Sequence, residues 1–278
     1  MKSIQRIGII ANSSKPHAVE QAGRLRDWLC NRGVKVFLET ELNGGKSETG
    51  EFASLIDMVV VFGGDGTLLV AARIVKEHNV PIVGINLGGF GFMTVINLNE
   101  MFQVMEIILG GDYTTSRRMM LDASVEGKTC SVLNDIVISR GGLSRMVSLE
   151  TSVNDKYLAT FKADGLIIST PTGSTAYSLS AGGPIVFPEH HSIIINPICP
   201  HTLTNRPIML PPESVIKVKL MDEEAGVKVA VDGQVLNMLE SGKTVTISKS
   251  QYFIDIVDSP LRGYLEVLRT KLGWGGSP

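Results

Sequence analysis

Val59-Val60-Val61-Phe62-Gly63-Gly64-Asp65-Gly66-Thr67-Leu68-Leu69 decides how the first part of this chain folds. A β-branched apolar run reads as a strand buried on both faces. It ends in glycines wrapped around one carboxylate, and helix-forming residues 68–76 follow at once. Glycines let the backbone turn sharply and approach a ligand closely, and a helix start aims unpaired N–H groups at an anion. Asp65 sets the loop apart from a plain phosphate cradle. A negative side chain beside a phosphate is unfavourable unless it binds a metal or takes a proton. The loop therefore reads as a phosphoryl-transfer site with Asp65 facing an attacking hydroxyl. The other reading is a tight strand-to-helix turn with Asp65 as the helix N-cap.

Counting removes three common motifs. A dinucleotide fingerprint beginning at Gly64 would need glycine at Leu69. A Walker A loop would need glycine where Thr40, Asp122 or Asn237 stands ahead of the three Gly-Lys-Ser/Thr triplets, and no G-x-S-x-G elbow occurs. The 278 residues suffice for one large or two ordinary domains, and the net charge of −2 draws the chain to neither nucleic acid nor an anionic membrane. No apolar run approaches a membrane span, and the start reads as a strand rather than a signal peptide. Cys30, Cys130 and Cys199 are widely spaced and fit reduced, buried thiols of a cytoplasmic protein. The histidines lack metal-site spacing; His190-His191 reads as a solvated pair in a loop.

Two textures divide the chain. Residues 8–11, 34–38, 58–62 and 82–85 read as strands, alternating with helical stretches at 18–32, 68–76 and 99–109. That alternation predicts a doubly wound, parallel α/β domain over residues 1–112. Ligands of such sheets sit beyond the carboxyl ends of the strands, where Gly63-Gly64-Asp65-Gly66 and Asn86-Leu87-Gly88-Gly89-Phe90-Gly91 both fall. From residue 113 short β-rich runs recur at 119–125, 131–139, 147–153, 161–170, 215–221, 227–231 and 244–248, predicting an all-β, sandwich-like domain over 113–251. Residues 261–272 regain helical spacing, so 252–278 are expected to return to the first domain.

Several segments, in order, resemble the NAD kinases: Gly63-Gly64-Asp65-Gly66-Thr67, Asn86-x-Gly88-x-x-Gly91-Phe92, Asn134-Asp135 and Asp164-Gly165. The run Ser169-Thr170-Pro171-Thr172-Gly173-Ser174-Thr175-Ala176-Tyr177-Ser178 is the specific part, followed by Ser180-Ala181-Gly182-Gly183-Pro184. Cys199-Pro200-His201-Thr202-Leu203, Arg206-Pro207 and Asp232-Gly233-Gln234 complete it. The resemblance implies transfer of the γ-phosphate of ATP to the 2′-hydroxyl of the adenosine ribose of NAD, giving NADP. It also implies an α/β nucleotide domain, a β-sandwich domain and a homo-oligomer, dimer or tetramer. Relatives often carry Leu-Gly-Phe-Leu where this chain has Phe90-Gly91-Phe92-Met93, which bears on the adenine pocket. The diglycine loop is shared with lipid and sugar kinases, so another alcohol acceptor is the alternative within the enzyme class. A non-catalytic NAD(P)-sensing module is the alternative outside it.

On that resemblance Asp65 is the catalytic residue, accepting the hydroxyl proton, and Asp65, Gly66 and Phe92 belong to the nucleotide site. Asn134 offers an amide to an adenine edge or ribose, and Asp135 accepts from ribose hydroxyls; an Asx turn is the plainer reading of the pair. Arg145 and Lys162 are placed at the dinucleotide, and Asp164 at its nicotinamide end. Thr175, Ala176, Tyr177, Ser178, Leu179 and Ser180 form a loop of small and hydroxyl residues that brings N–H groups to a ligand. Gln234 supplies an amide contact, whereas Cys199-Pro200-His201 reads as a structural turn. No carboxylate cage for a metal is visible. A divalent cation, Mg2+ bound with ATP, is therefore expected with its ligands unassigned.

Overall fold

A computed structural model describes residues 4–39, 49–89, 91–140, 146–202, 204–222 and 226–274. The chain forms two compact units, residues 1–117 with 254–278, and residues 118–253.

The first unit runs β1 (Arg6–Ala11), α1 (Pro16–Cys30), β2 (Lys35–Glu39), α2 (Thr49–Ser54), β3 (Met58–Phe62), α3 (Asp65–Val75), β4 (Ile82–Asn86), β5 (Ile96–Asn97) and α4 (Met101–Leu109). Its strands lie in the order β4-β3-β1-β2, all parallel. Every residue of β3 and β4 is buried, the signature of strands covered on both faces. One face packs Ile7, Ile9, Val60 and Phe62 against Leu25 and Leu29 of α1 and Val104 and Met105 of α4. On the other face Gly8 lies under the Phe52 ring of α2, leaving no room for a side chain. The order reverses between β1 and β3, so the loops leaving those strands diverge and open a crevice at the carboxyl edge of the sheet.

The second unit continues with β6 (Thr115–Val125), β7 (Lys128–Val132), β8 (Asp135–Arg140), β9 (Val147–Val153), β10 (Lys156–Ala163) and β11 (Gly165–Ser169). Then come a 3-10 turn (Thr172–Thr175), α5 (Tyr177–Ser180), β12 (Ile193–Ile198), β13 (Ile208–Leu210), β14 (Ile216–Leu220), β15 (Val227–Val231), β16 (Gln234–Leu239) and β17 (Thr244–Val257). One antiparallel sheet has the order β13-β12-β11-β8-β15-β16, and the other includes β10-β9-β14-β17 with β6 and β7. The two inner faces share one core, with Leu121, Leu149, Val218 and Ile247 from one sheet against Ile138, Ile168, Ile195 and Val229 from the other. The last residues of β17 pair with β4 at Ile256↔Ile82, and α6 (Tyr264–Leu272) ends at Gly273 in the left-handed conformation. The α/β-plus-sandwich class read from the sequence is the observed one.

Several local readings change. Residues 131–139 are not one strand: β7 stops at Val132 and β8 starts at Asp135, because Leu133 and Asn134 form a turn. Residues 161–170 are likewise split at Asp164. β12, β13 and β16 carry no period-2 signal strong enough to separate them from loop, and β17 outruns its predicted end. The cysteines are free, but Cys30 and Cys199 are exposed rather than buried. Cys30 ends α1 on its solvent side, and Cys199 occupies a left-handed corner after β12. No helix among the described residues is long and apolar enough to cross a membrane.

Candidate active site

In the first unit the crevice at the carboxyl edge encloses about 700 Å³, within the size range of small-molecule sites. The loop after β3 (Gly63, Gly64, Asp65), the loop after β4 (Asn86 to Gly89, and Gly91), the loop after β1 (Ser14 to His17) and Lys271 of α6 line it. Asp65 is the first residue of α3 and Gly64 is its N-cap, so Asp65 does not occupy the capping position. The N-cap reading of Asp65 is therefore corrected. Its carboxylate turns across to the loop after β4 and accepts from four donors. The main-chain N–H of Phe92 donates to Oδ2 (2.9 Å), and Met93 N–H (3.1 Å), Thr94 N–H (3.0 Å) and the Thr94 hydroxyl (3.1 Å) donate to Oδ1. Asn86 Nδ2 donates to the same Thr94 hydroxyl at 2.8 Å, and Asn86 Oδ1 accepts Gly88 N–H at 2.8 Å. Backbone N–H groups thus fix the carboxylate, and with it the geometry of both glycine loops. Gly66 is exposed beside it, and Phe92 is half-buried with Lys271 Nζ 5.9 Å from its ring centroid.

Sequence reasoning passed over Lys15, His17, Thr94 and Lys271. Lys15 is the N-cap position of α1, followed by Pro16 inside the helix start. A strand-to-helix loop carrying Lys-Pro-His at the first β–α junction was the available signal. Nothing local marks Lys271, which reaches the crevice only through the docking of α6.

In the second unit the β7–β8 turn gathers a second set of predicted residues. Leu133, Asn134 and Asp135 donate their main-chain N–H groups to the Asp232 carboxylate. The Asn134 carbonyl accepts Thr170 N–H (2.9 Å) and the Ser169 hydroxyl (3.2 Å), and Thr170 Oγ1 donates to Leu133 O at 2.6 Å. Gly173 packs so closely on the Asn134 carbonyl that any Cβ would overlap it. That contact explains the glycine inside Thr-Pro-Thr-Gly-Ser. Asp135 is buried, and its carboxyl is pushed up to about 7 by burial and by the Asp232 charge, against a hydrogen bond from the Tyr177 N–H. Asn134 Oδ1 and Thr172 Oγ1 are buried without a protein partner among the described residues, the state of polar atoms that wait on a ligand.

Tyr177 and Ser180 are exposed, while Thr175, Ala176 and Leu179 are half-buried on the segment over the outer face of β11. Ser178 is buried. Asn196 Nδ2 donates to its carbonyl (2.9 Å), pinning α5. Gln234 is exposed and opens β16, directly after the Asp232-Gly233 turn. Lys162 and Asp164 are exposed at the other end of β11, where Asp164 N–H donates to Ile198 O and Lys162 O accepts from His201 N–H. The structure therefore does not bring them to Asn134 and Asp135. Asp135 is paired with Ser169, and Asp164 precedes the opposite end of that strand, roughly 16 Å away at about 3.3 Å per residue. Arg145 lies outside the described residues. No three His, Cys, Asp or Glu side chains cluster as cation ligands among the described residues.

The family model for the ATP-NAD kinase N-terminal domain matches residues 7–113, and that for the ATP-NAD kinase C-terminal domain matches residues 133–259. An NAD kinase of Citrifermentans bemidjiense is 48% identical across 98% of this chain and 99% of its own. One of Syntrophotalea carbinolica is 45% identical with the same coverage. Among solved structures, a yeast NADH kinase complexed with NADH superposes with a TM-score of 0.88 at 25% identity, covering 100% of this chain and 90% of that one. An NAD kinase from Archaeoglobus fulgidus in complex with ATP shares the fold, with a TM-score of 0.78 at 24% identity over 98% of this chain and 100% of that one. A glycine-framed carboxylate and a hydroxyl-rich turn thus stand on a chain matched along nearly its full length, and the chain belongs to the ATP-NAD kinase family.

Proposed function

We propose that this chain transfers the γ-phosphate of ATP to the 2′-hydroxyl of the adenosine ribose of NAD, with Asp65 receiving the hydroxyl proton. The carrying observation is the asymmetric occupation of the Asp65 carboxylate. Among the described residues Oδ1 accepts three hydrogen bonds and Oδ2 one, from Phe92 N–H, which makes Oδ2 the freer oxygen for a substrate hydroxyl. The ribose oxygen attacks the γ-phosphorus, the bond to the β-phosphate oxygen breaks, and ADP leaves with the electron pair while the proton passes to Oδ2. Positioning and charge neutralisation supply most of such a rate enhancement, and Lys15 and Lys271 in the crevice suit the donor phosphates.

Asn134, Asp135, Tyr177 and Gln234 hold one part of the dinucleotide in this reading, with Thr175, Ala176, Ser178, Leu179 and Ser180 shaping the segment beside them. Asp164 takes the nicotinamide end, and Lys162 contacts the dinucleotide beside it. An extended dinucleotide suits their separation along β11. Gly66 and Phe92 border the reacting centre. Mg2+ would be carried on the ATP phosphates and would supply charge neutralisation there. A cytoplasmic setting fits free thiols and these substrates. A homo-oligomer is supported by the edge strands β13 and β16, which expose Met209, Val235 and Met238.

A coupled assay with Mg-ATP and NAD, comparing wild type with Asp65→Asn, tests the reading. We expect turnover to fall at least about 100-fold while NAD still binds. Absence of NADP from the wild type rejects the reading.

A further inference from the structure

We propose that Asp232 is a positioning residue for dinucleotide binding: its carboxylate holds the Leu133–Asp135 backbone in the one conformation that presents Asn134 and Asp135 together. The inference rests on the dinucleotide reading of that pair. Its geometry is local. Leu133 N–H donates to Asp232 Oδ2 at 3.1 Å, and Asn134 N–H (2.8 Å) and Asp135 N–H (3.3 Å) donate to Oδ1. The return bond runs from Asp232 N–H to Asp135 O at 3.0 Å. Three consecutive N–H groups converging on one side chain make a nest for a negative charge. That charge adds to the Ser169 and Thr170 bonds that also hold the two-residue break between β7 and β8.

Local turn chemistry delivers the carboxylate there. Asp232 and Gly233 have φ of 46° and 77°, and Val231 pairs with Gln234 across them. Two left-handed central residues define the tight hairpin turn that favours Asp-Gly. Asparagine satisfies the same backbone but offers the nest one oxygen and no charge. The substitution Asp232→Asn therefore separates turn geometry from electrostatics.

The second consequence concerns Asp135. Among the elements packed on it, β11 presents Ser169, α5 presents the Tyr177 N–H, and the β15–β16 turn presents the Asp232 charge. Burial raises the Asp135 carboxyl most, and the Asp232 charge raises it further, against the Tyr177 N–H. Asp232 thereby adds to the upward shift that burial imposes on Asp135.

Equilibrium titration of NAD onto the full-length protein, from about pH 5.5 to 8.5, tests this together with thermal melting and turnover. For Asp232→Ala we expect NAD affinity to weaken at least about tenfold with ATP affinity nearly unchanged, the effect of losing several oriented bonds. For Asp232→Asn we expect affinity between those of wild type and Asp232→Ala, with the inflection near neutral moved to lower pH. In Asp135→Asn that inflection disappears. A cooperatively melting Asp232→Ala with wild-type NAD affinity overturns the proposal, and so does an unmoved inflection in Asp232→Asn. If Asp232→Ala does not fold, the asparagine variant alone decides. A wild type that binds NAD without phosphorylating it fails the kinase reading and leaves this inference standing; one that does not bind NAD ends both.

Discussion

Gly91 stands where the Asp65 carboxylate needs space: a Cβ at position 91 would overlap Asp65 Oδ1 and Thr94 Oγ1. The glycine is dictated by contact with a side chain from another loop, and its own backbone conformation does not require it. Gly91→Ala must push the carboxylate off its N–H donors or move the loop. We expect at least about a 100-fold loss in kcat/KM, in line with the cost of sub-ångström misplacement at a reacting centre. Wild-type kinetics for this variant would show that the docked carboxylate is dispensable.

Thr94 is fully buried and its hydroxyl serves two partners, accepting from Asn86 and donating to Asp65. Thr94→Val keeps the shape and strands the Asn86 amide. A loss of about 1–3 kcal/mol in stability is expected, seen as a lowered melting temperature, with kcat reduced about tenfold. Thr94→Ser restores the hydroxyl and should recover most of both.

Asp135 links stability to pH. Its folded-state value of about 7 lies above that of an unfolded aspartate, so the folded protein binds more protons between roughly pH 4 and pH 7. Stability from this group is present at low pH and is lost as pH rises through the folded value. Asp135→Asn removes the penalty of ionising a buried carboxyl. At pH 8 the variant should be more stable than wild type by on the order of a few kcal/mol, with the gap narrowing toward pH 4. Parallel melting curves at all pH values would contradict this.

Lys15 and Lys271 border the crevice from the β1–α1 loop and from α6. Lys15→Gln and Lys271→Gln are each expected to raise KM for ATP about three- to tenfold, with KM for NAD little changed, and the penalty should shrink at high salt. Equal effects on both substrates would argue for a general structural role.

The parallel sheet was legible because β3 and β4 are uniformly apolar and end in glycine-rich loops. Asp65 was legible because a carboxylate among glycines at a strand end has few structural uses. The β7–β8 break was not: Ser131 through Ser139 alternates well enough to pass for one strand, and what interrupts it is the Asp232 carboxylate from a hairpin about a hundred positions later. Lys271 stayed hidden for the same reason, since charge on an amphipathic helix says nothing about which crevice it will border.

By itself the sequence determined the fold class, the carboxyl-edge location of the glycine loops and the residue types offered to a nucleotide. Those depend on local period, glycine placement and strand-end chemistry, all of which act between near neighbours. Tertiary structure alone decided that Asp65 is held by Phe92, Met93 and Thr94 rather than by its own helix, and that Asp135 ionises near neutral pH beside Asp232. Hydrogen bonds and charge–charge energies at such sites depend on distance and burial in space, and chain order encodes neither.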